Sequence, residues 1–201
     1  YIQDLVNIKN KIDFKNKGLE GVLLELDTDS LFIDYGSNTY NSKRLNYIDA
    51  LFDNEKPYKL DYLAYIWGDN GSFENKRHFD GLVSTGSLDY ISNEELQTKL
   101  VNYYNITYGF NKQAVEIDAE YLKTFITHMM NYKLDSVKYD WPTATKYYFN
   151  PVEVKKIRTD KKLKTICYAW KMQIAELNKR LSLSQEAIAD LKRLINIELN
   201  N

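Results

Sequence analysis

Three acids fall within five residues at Glu25, Asp27 and Asp29. In a loop, an Asp-x-Asp pair can hold a divalent cation. On a helix, residues two apart diverge by about 200°, so they cannot share a metal. Counted from Asp27, Leu31 and Phe32 stand at the fifth and sixth positions, where a calcium loop needs a ligand and a glycine. Asp29 falls instead on an apolar row, where a polar residue sets register or meets a basic partner. His78 and Asp80 flank Phe79, and on a helix they too diverge rather than forming an oriented base. His128 lies on the apolar row of its own segment, as a hydrogen-bonded core or boundary histidine does. Ser84 and Ser87 lack a Gly-x-Ser-x-Gly elbow, and no glycine-rich phosphate loop is present. The expectation is therefore no catalytic residue, no metal, no cofactor and no enzyme.

Two segments could bind something. Lys155, Lys156, Arg158, Lys161, Lys162 and Lys164 put six basic groups in ten residues, against the single acid Asp160. Such a run can meet phosphate, an acidic protein or lipid headgroups. A solvated helix face plus linker is the favoured reading, because the overall charge is balanced. No aromatics interleave the run, so nucleic acid is not an expected partner. The second segment is irregular and aromatic, with Tyr139, Trp141, Tyr147, Tyr148 and Phe149. Tyrosine and tryptophan bury large areas at low entropic cost, which suits a binding surface. The same residues would also serve as a hydrophobic plug over one end of a bundle.

Helices must position these groups. Ile8, Ile12, Leu19, Val22, Leu26 and Ile33 recur at alternating four- and three-residue steps, with Lys15 and Asp29 filling the gaps. This predicts a first long helix over 1–52 that ends before Pro57, weakened locally by Gly18, Gly21 and Gly36. Short helices are expected over 60–67 and 73–84, separated by a loop at 68–72 and with Gly86 as a left-handed cap. Ser92-Asn93-Glu94-Glu95 reads as a capping box opening a second long helix over 92–134. Its row is Leu96, Leu100, Tyr103, Thr107, Phe110, Ala114, Ile117, Tyr121 and Phe125, with a bend at Gly109. Asn150-Pro151-Val152-Glu153 starts a short helix, and Thr159-Asp160 caps a last long helix over 160–199. Its row runs through Leu163, Ile166, Trp170, Ile174, Leu177, Leu181, Ile188, Leu191 and Ile195. The expected fold is all-α: an elongated antiparallel bundle of three long helices, with short helices and the aromatic loop packed at one end, in a single domain over 1–201.

Composition narrows the function classes. Lys plus Arg number 27 against 28 Asp plus Glu, for a net charge of -1, which excludes a globally basic nucleic-acid binder and an acidic disordered tail. Three Pro and 8 Gly are too few for an all-β protein rich in tight turns. One Cys and 2 His exclude an intrachain disulfide and most zinc chemistry. No apolar run is long enough to span a bilayer. The chain opens on Tyr1 rather than Met, as a trimmed or processed product would.

The segment Phe79-Asp80-Gly81-Leu82-Val83-Ser84-Thr85-Gly86-Ser87-Leu88-Asp89-Tyr90-Ile91-Ser92-Asn93-Glu94-Glu95-Leu96, followed by Leu100 and Tyr103-Tyr104, carries a resemblance. It is similar to a signature of a family of short, uncharacterised membrane proteins common in Bacteroidetes. That signature runs Phe-x-x-Leu-x-x-Ser/Thr-Gly-x-Leu-x-x-Ile-x-x-x-x-Leu-x-x-x-Leu-x-x-Tyr. The order of long helix, motif, long helix and final helix also resembles the family, as does the tail of Leu191, Ile195 and Leu199 at slightly different spacing. The resemblance implies one transmembrane helix upstream of Tyr1 and a helical domain outside the cytoplasm. The matching positions are structural, so no functional residue carries over, and the aromatic stretch at 139–149 departs from the family. The expected function is a non-enzymatic ectodomain acting by protein interaction or self-association. The alternatives are a sensor that binds a small ligand inside the bundle, near Asp29, Thr107, His128 or the aromatic loop, and an enzyme of unrecognised type.

Overall fold

The computed structural model describes residues 2–36, 41–53, 75–140 and 144–200. These are mostly helical, in the order α1 (Ile2–Asp34), α2 (Ser42–Leu51), α3 (Arg77–Ser84), a 3-10 turn (Ser87–Tyr90), α4 (Glu94–Asn102), a π segment (Tyr103–Thr107), α5 (Tyr108–Met129), β1 (Leu134–Asp140), β2 (Ala144–Phe149), α6 (Pro151–Thr159) and α7 (Lys161–Leu199). The all-α class holds. Among the described residues, no helix is long and apolar enough to cross a membrane. The expected short helix at 60–67 and loop at 68–72 lie outside the described residues.

The chain divides into two compact units. The first joins 1–33, 71–112 and 181–201, and the second joins 34–70 and 113–180.

In the first unit, α1 and the end of α7 run antiparallel. Gln185 pairs with Ser30, Lys192 with Asp27 and Glu198 with Lys15, so α7 advances as α1 recedes. Both helices bury a heptad row: Lys15, Leu19, Val22, Leu26, Asp29 and Ile33 on α1, against Leu181, Ser184, Ile188, Leu191, Ile195 and Glu198 on α7. Lys15 and Glu198, a polar member of each row, meet at 2.8 Å. Such a pair does more to fix register than to add stability, because desolvation offsets its Coulombic gain.

The glycines in α1 have a packing reason. A methyl group at Gly18 would lie 2.4 Å from Leu82 Cδ2, and one at Gly21 would lie 2.2 Å from His78 Nδ1. α3 therefore approaches α1 more closely than any larger residue permits. Leu82 and Phe79 of α3 are buried, and Phe79 stacks on Tyr104 with ring centroids 4.4 Å apart. Gly86 follows α3 at φ +66°, the left-handed cap expected of it.

In the second unit, α2 buries Arg44, Tyr47, Ile48 and Leu51, spaced as one helical face requires. They join Leu122, Phe125 and Met129 of α5, Ile157 of α6, and Leu163, Cys167, Trp170 and Ile174 of α7. Burial pushes the Cys167 thiol up to about 12, so it is an inert core residue. The starts of α6 and α7 are as expected. Asn150 Oδ1 accepts from the amides of Val152 and Glu153, with Pro151 in the first turn, and Asp160 Oδ1 accepts from the amide of Leu163.

Four expectations are corrected. The first long helix is not regular α-helix throughout 1–52: α1 ends at Asp34 and α2 begins at Ser42, with π-helical geometry at Tyr35, Gly36 and Asn41. The cap of the next helix is Asn93, whose Oδ1 accepts from Leu96 N at 3.0 Å, and not Ser92, which is engaged by Glu198. The segment 134–149 is not irregular: β1 and β2 form an antiparallel hairpin, with Val137 opposite Tyr147 and Tyr139 opposite Thr145. β-branched and aromatic residues favour that pleated geometry.

The fourth correction is in the helix over 92–134, which ends at Met129 and slips phase at the π segment. The π segment inserts one residue into the apolar rhythm, so Tyr103 and Tyr104, though adjacent, are both buried. Beyond it the buried row is Tyr108, Asn111, Ala114, Asp118, Leu122, Phe125 and Met129, and the expected Phe110 and Ile117 are exposed.

Candidate functional site

Glu25 and Asp29 are four residues apart, on one face of α1, and both are buried. The π segment brings two phenols to them. Tyr103 OH donates to Asp29 Oδ2 at 2.9 Å, and Tyr104 OH donates to Glu25 Oε2 at 3.0 Å. The backbone N–H of His78 donates to Glu25 Oε1 at 2.7 Å. Burial pushes the Asp29 carboxyl up to about 6, against the lowering effect of the Tyr103 hydrogen bond and with a further push from Glu25. Burial also raises both phenols, assisted by the acids they face, so both tyrosines stay protonated donors. The donors are neutral, so Asp29, expected to set register or to meet a basic partner, meets a tyrosine.

Glu198 is built differently. Its Oε1 accepts from Lys15 Nζ and Ser92 N, each at 2.8 Å, and its Oε2 accepts from Ser92 Oγ at 2.7 Å and Asn93 N at 3.2 Å. Burial works to raise this carboxyl, but the Lys15 and Ser92 hydrogen bonds win and hold it below its usual range.

In the second unit, His128 Nε2 lies 2.8 Å from Asp160 Oδ2, which also accepts from Tyr132 OH. The Tyr132 hydrogen bond, then that of His128, holds Asp160 well below the carboxylate range. His128 is thus the boundary histidine its position suggested. The buried Asp118 accepts from Arg44 and, at 2.8 Å, from Trp170 Nε1. Asn111 of the first unit donates to Ser184 at 2.7 Å.

The two expected binding segments fare differently. Trp141 and the side chains of Tyr139 and Tyr147 lie outside the described residues. Tyr148 and Phe149 are half-buried, and Phe149 packs against the second unit's core. Of the basic run, Lys155, Lys156, Lys161, Lys162 and Lys164 are exposed and Arg158 is half-buried. Lys156 pairs with Glu153 at 2.6 Å, and Lys164 lies 5.5 Å from the Phe52 ring centre. The run covers the end of α6 and the first turn of α7.

Two surface depressions of about 640 Å³ each are open grooves. One is lined on α5 by Gln113, Glu116, Ile117, Glu120, Tyr121 and Thr124. The other lies between the start of α1 and the 85–90 turn, beside Asn7, Lys11, Phe14 and Tyr90. Neither reaches Asp29, Thr107 or His128. Among the described residues, no three His, Cys, Asp or Glu side chains gather as a metal site.

A surface that sequence spacing did point to lies at the start of α1. Its heptad row begins before Lys15, at Leu5, Ile8 and Ile12. Leu199, the last residue of α7, lies one past Glu198, which pairs with Lys15. Leu5, Ile8 and Ile12 are 52%, 46% and 40% exposed, whereas Leu19, Val22 and Leu26 of the same row are fully buried. No protein-family model, curated protein or solved structure matches the chain, so the site is judged on its own geometry.

Proposed function

We propose that this chain is a non-enzymatic helical interaction module that docks other protein through the start of α1. The observation that carries it is the heptad row that is buried from Lys15 onward and open at Leu5, Ile8 and Ile12. A row of this kind is a coiled-coil seam, and a seam is complete only when a second helix covers it. Binding is favoured over catalysis because Glu25, Asp29, Glu198, Asp118 and Asp160 all accept hydrogen bonds from the chain's own donors. The proposal extends to an elongated antiparallel bundle of three long helices, carried outside the cytoplasm by a membrane anchor upstream of residue 1. The resemblance of residues 79–104 supports that placement. Phe79, Leu82, Ile91, Leu96, Leu100 and Tyr103, which carry the resemblance, are all buried in the first unit.

A photo-crosslinking residue at position 8 of the full-length protein, activated in its own cells, tests the docking surface. Discrete protein adducts are expected, and they should vanish when the crosslinker is moved to the exposed face at Glu20. Equal labelling at both positions, or none at position 8, overturns the proposal.

A further inference from the structure

We infer that the basic run at the α6–α7 junction docks the second unit onto an anionic lipid surface, with Tyr168 and Met172 of α7 seated at the boundary beneath the headgroups. This surface is separate from the start of α1, and neither reading depends on the other.

Lys155, Lys156, Lys161, Lys162 and Lys164 are exposed, and the exposed Lys133 lies beside α6, its backbone N–H donating to Glu153 Oε2 at 3.2 Å. The acids within this segment are already engaged. Glu153 accepts from Lys156 and Lys133, and Asp160 is met by Tyr132, His128 and the amide of Leu163. Among the described residues, Lys155, Lys161 and Lys162 form no ion pair. Fold stability does not explain where they stand. Lys156 and Arg158 suit the negative pole at the end of α6, but Lys161 and Lys162 occupy the first turn of α7, which holds no acid after its cap Asp160. The positive pole of a helix disfavours cations there. Solvation alone gives no reason for lysines at that pole, whereas an anion outside the chain does.

The kind of anion follows from the residue types and from what stands beside them. Five of the six basic residues in the run are Lys, compact point charges that need no fixed partner geometry. Recognition of a phosphate in a defined pose favours the planar fork of Arg, and the single Arg of the run, Arg158, is half-buried. Neither open groove is lined by a residue of the run, so this surface offers charge density and not a shaped seat. An acidic protein would match the lysines but has no depression here to receive its side chains, and a bilayer needs none. Apolar groups continue both cationic faces. On α6, Val152 shares a face with Lys155, Lys156 and Thr159 and is 64% exposed. On α7, Lys161, Thr165, Tyr168 and Met172 share a face, and Tyr168 and Met172 are 70% and 58% exposed. Lysines beside an exposed Tyr and Met make the pattern of a helix lying on a membrane, with the ammonium groups at the phosphates and the amphipathic ring at the boundary.

Co-sedimentation of the 201-residue chain with vesicles tests this. Binding is expected to phosphatidylcholine vesicles doped with phosphatidylglycerol and not to phosphatidylcholine alone, and it should weaken as salt is raised. Lys161→Glu combined with Lys162→Glu should weaken it at least about tenfold. The helical circular dichroism should not change, because both side chains are exposed and an acid suits that helix pole. Tyr168→Cys, labelled with an environment-sensitive dye, reads orientation. Cys167 is buried, so position 168 carries the reactive thiol, and its emission should shift to the blue on the doped vesicles. The same dye on Glu20→Cys, exposed on the first unit, should not shift. No binding, equal binding to both kinds of vesicle, binding that survives the double reversal, or a shift at position 20 and none at 168 each overturns the inference. Tighter binding to soluble polyglutamate than to the doped vesicles makes the partner an acidic protein and also overturns it.

Discussion

The Glu25–Asp29 pair of the first unit and the carboxylates of the second are met in opposite ways, and Glu198 of the first unit, held by Lys15, sides with the second. In the first, Glu25 and Asp29 face, among the described residues, only neutral donors, the phenols of Tyr103 and Tyr104 and one backbone amide. In the second, Asp118 faces the Arg44 guanidinium and the Trp170 indole, and Asp160 faces Tyr132 and His128. Neutral donors leave desolvation dominant, and Asp29 rises to about 6. At Asp160, which is less buried, hydrogen bonds dominate and the carboxyl is driven down. The partner and the depth of burial, not the residue type, decide whether a polar core group helps or burdens the fold near neutral pH.

Five substitutions break or sharpen that contrast. The largest effect is expected from Asp118→Asn, which keeps an acceptor for Trp170 but removes the carboxylate facing a buried guanidinium. A loss on the order of 3 kcal/mol is expected. All three tryptophans, Trp67, Trp141 and Trp170, fall in the second unit, so fluorescence during urea unfolding reads this change.

The same chemical change in the first unit should have the opposite sign. A carboxyl raised in the folded state binds its proton more readily there than in the unfolded chain. Its burden is absent below the ordinary carboxylate range, grows as pH climbs from about 4 to about 6, and is constant above. Asp29→Asn should therefore stabilise the protein by about 2 kcal/mol at pH 8 and change little at pH 4. Urea midpoints followed by circular dichroism at the two pH values check this, and equal effects at both would remove the desolvation argument.

Third in size is Gly18→Ala. The new methyl meets Leu82, which is buried and cannot swing aside. Overpacking of about 1–3 kcal/mol, less the roughly 1 kcal/mol gain in helix propensity, leaves a net loss of about 1 kcal/mol. A gain in thermal midpoint would show that α3 yields. The smallest effect, and the internal control, is Asn93→Ala against Asn150→Ala. Each removes a helix cap, one per unit, and each should cost about 1 kcal/mol without pH dependence. Matching losses would leave the carboxylate partners as the source of any difference in acid response.

Much of this was legible in the spacing of the residues. The last helix shows its heptad row almost intact, with Cys167 in place of Ile166 and Ser184 filling the gap. Asn150 and Asp160 announce their helices because a short polar side chain before an apolar row has one obvious use. The Glu25–Asp29 pair was missed because the acids were weighed two apart, whereas the four-residue spacing is the one that shares a face. In α5, Ala114 and Phe125 are buried as expected, but Phe110 and Ile117 are not, because a π turn adds one residue without any local sequence mark. Tertiary packing decides where such a turn falls. The hairpin was missed because 135–150 reads as an irregular aromatic segment, although Val137, Thr145, Tyr147 and Tyr148 suit strands.

That π turn has a genetic consequence. Asn105 and Ile106 within it are exposed, so one of them could be lost without removing a core side chain. Deleting a single codon there would take up the extra residue, restore unbroken α-helix and leave Asn111 and Asp118 on the buried face. Straightening the turn with every residue kept would instead bring Phe110 and Ile117 toward the places now held by Asn111 and Asp118. The polar positions of this helix are therefore a matter of reading frame within the fold, one residue away from an oilier alternative that the same gene already encodes.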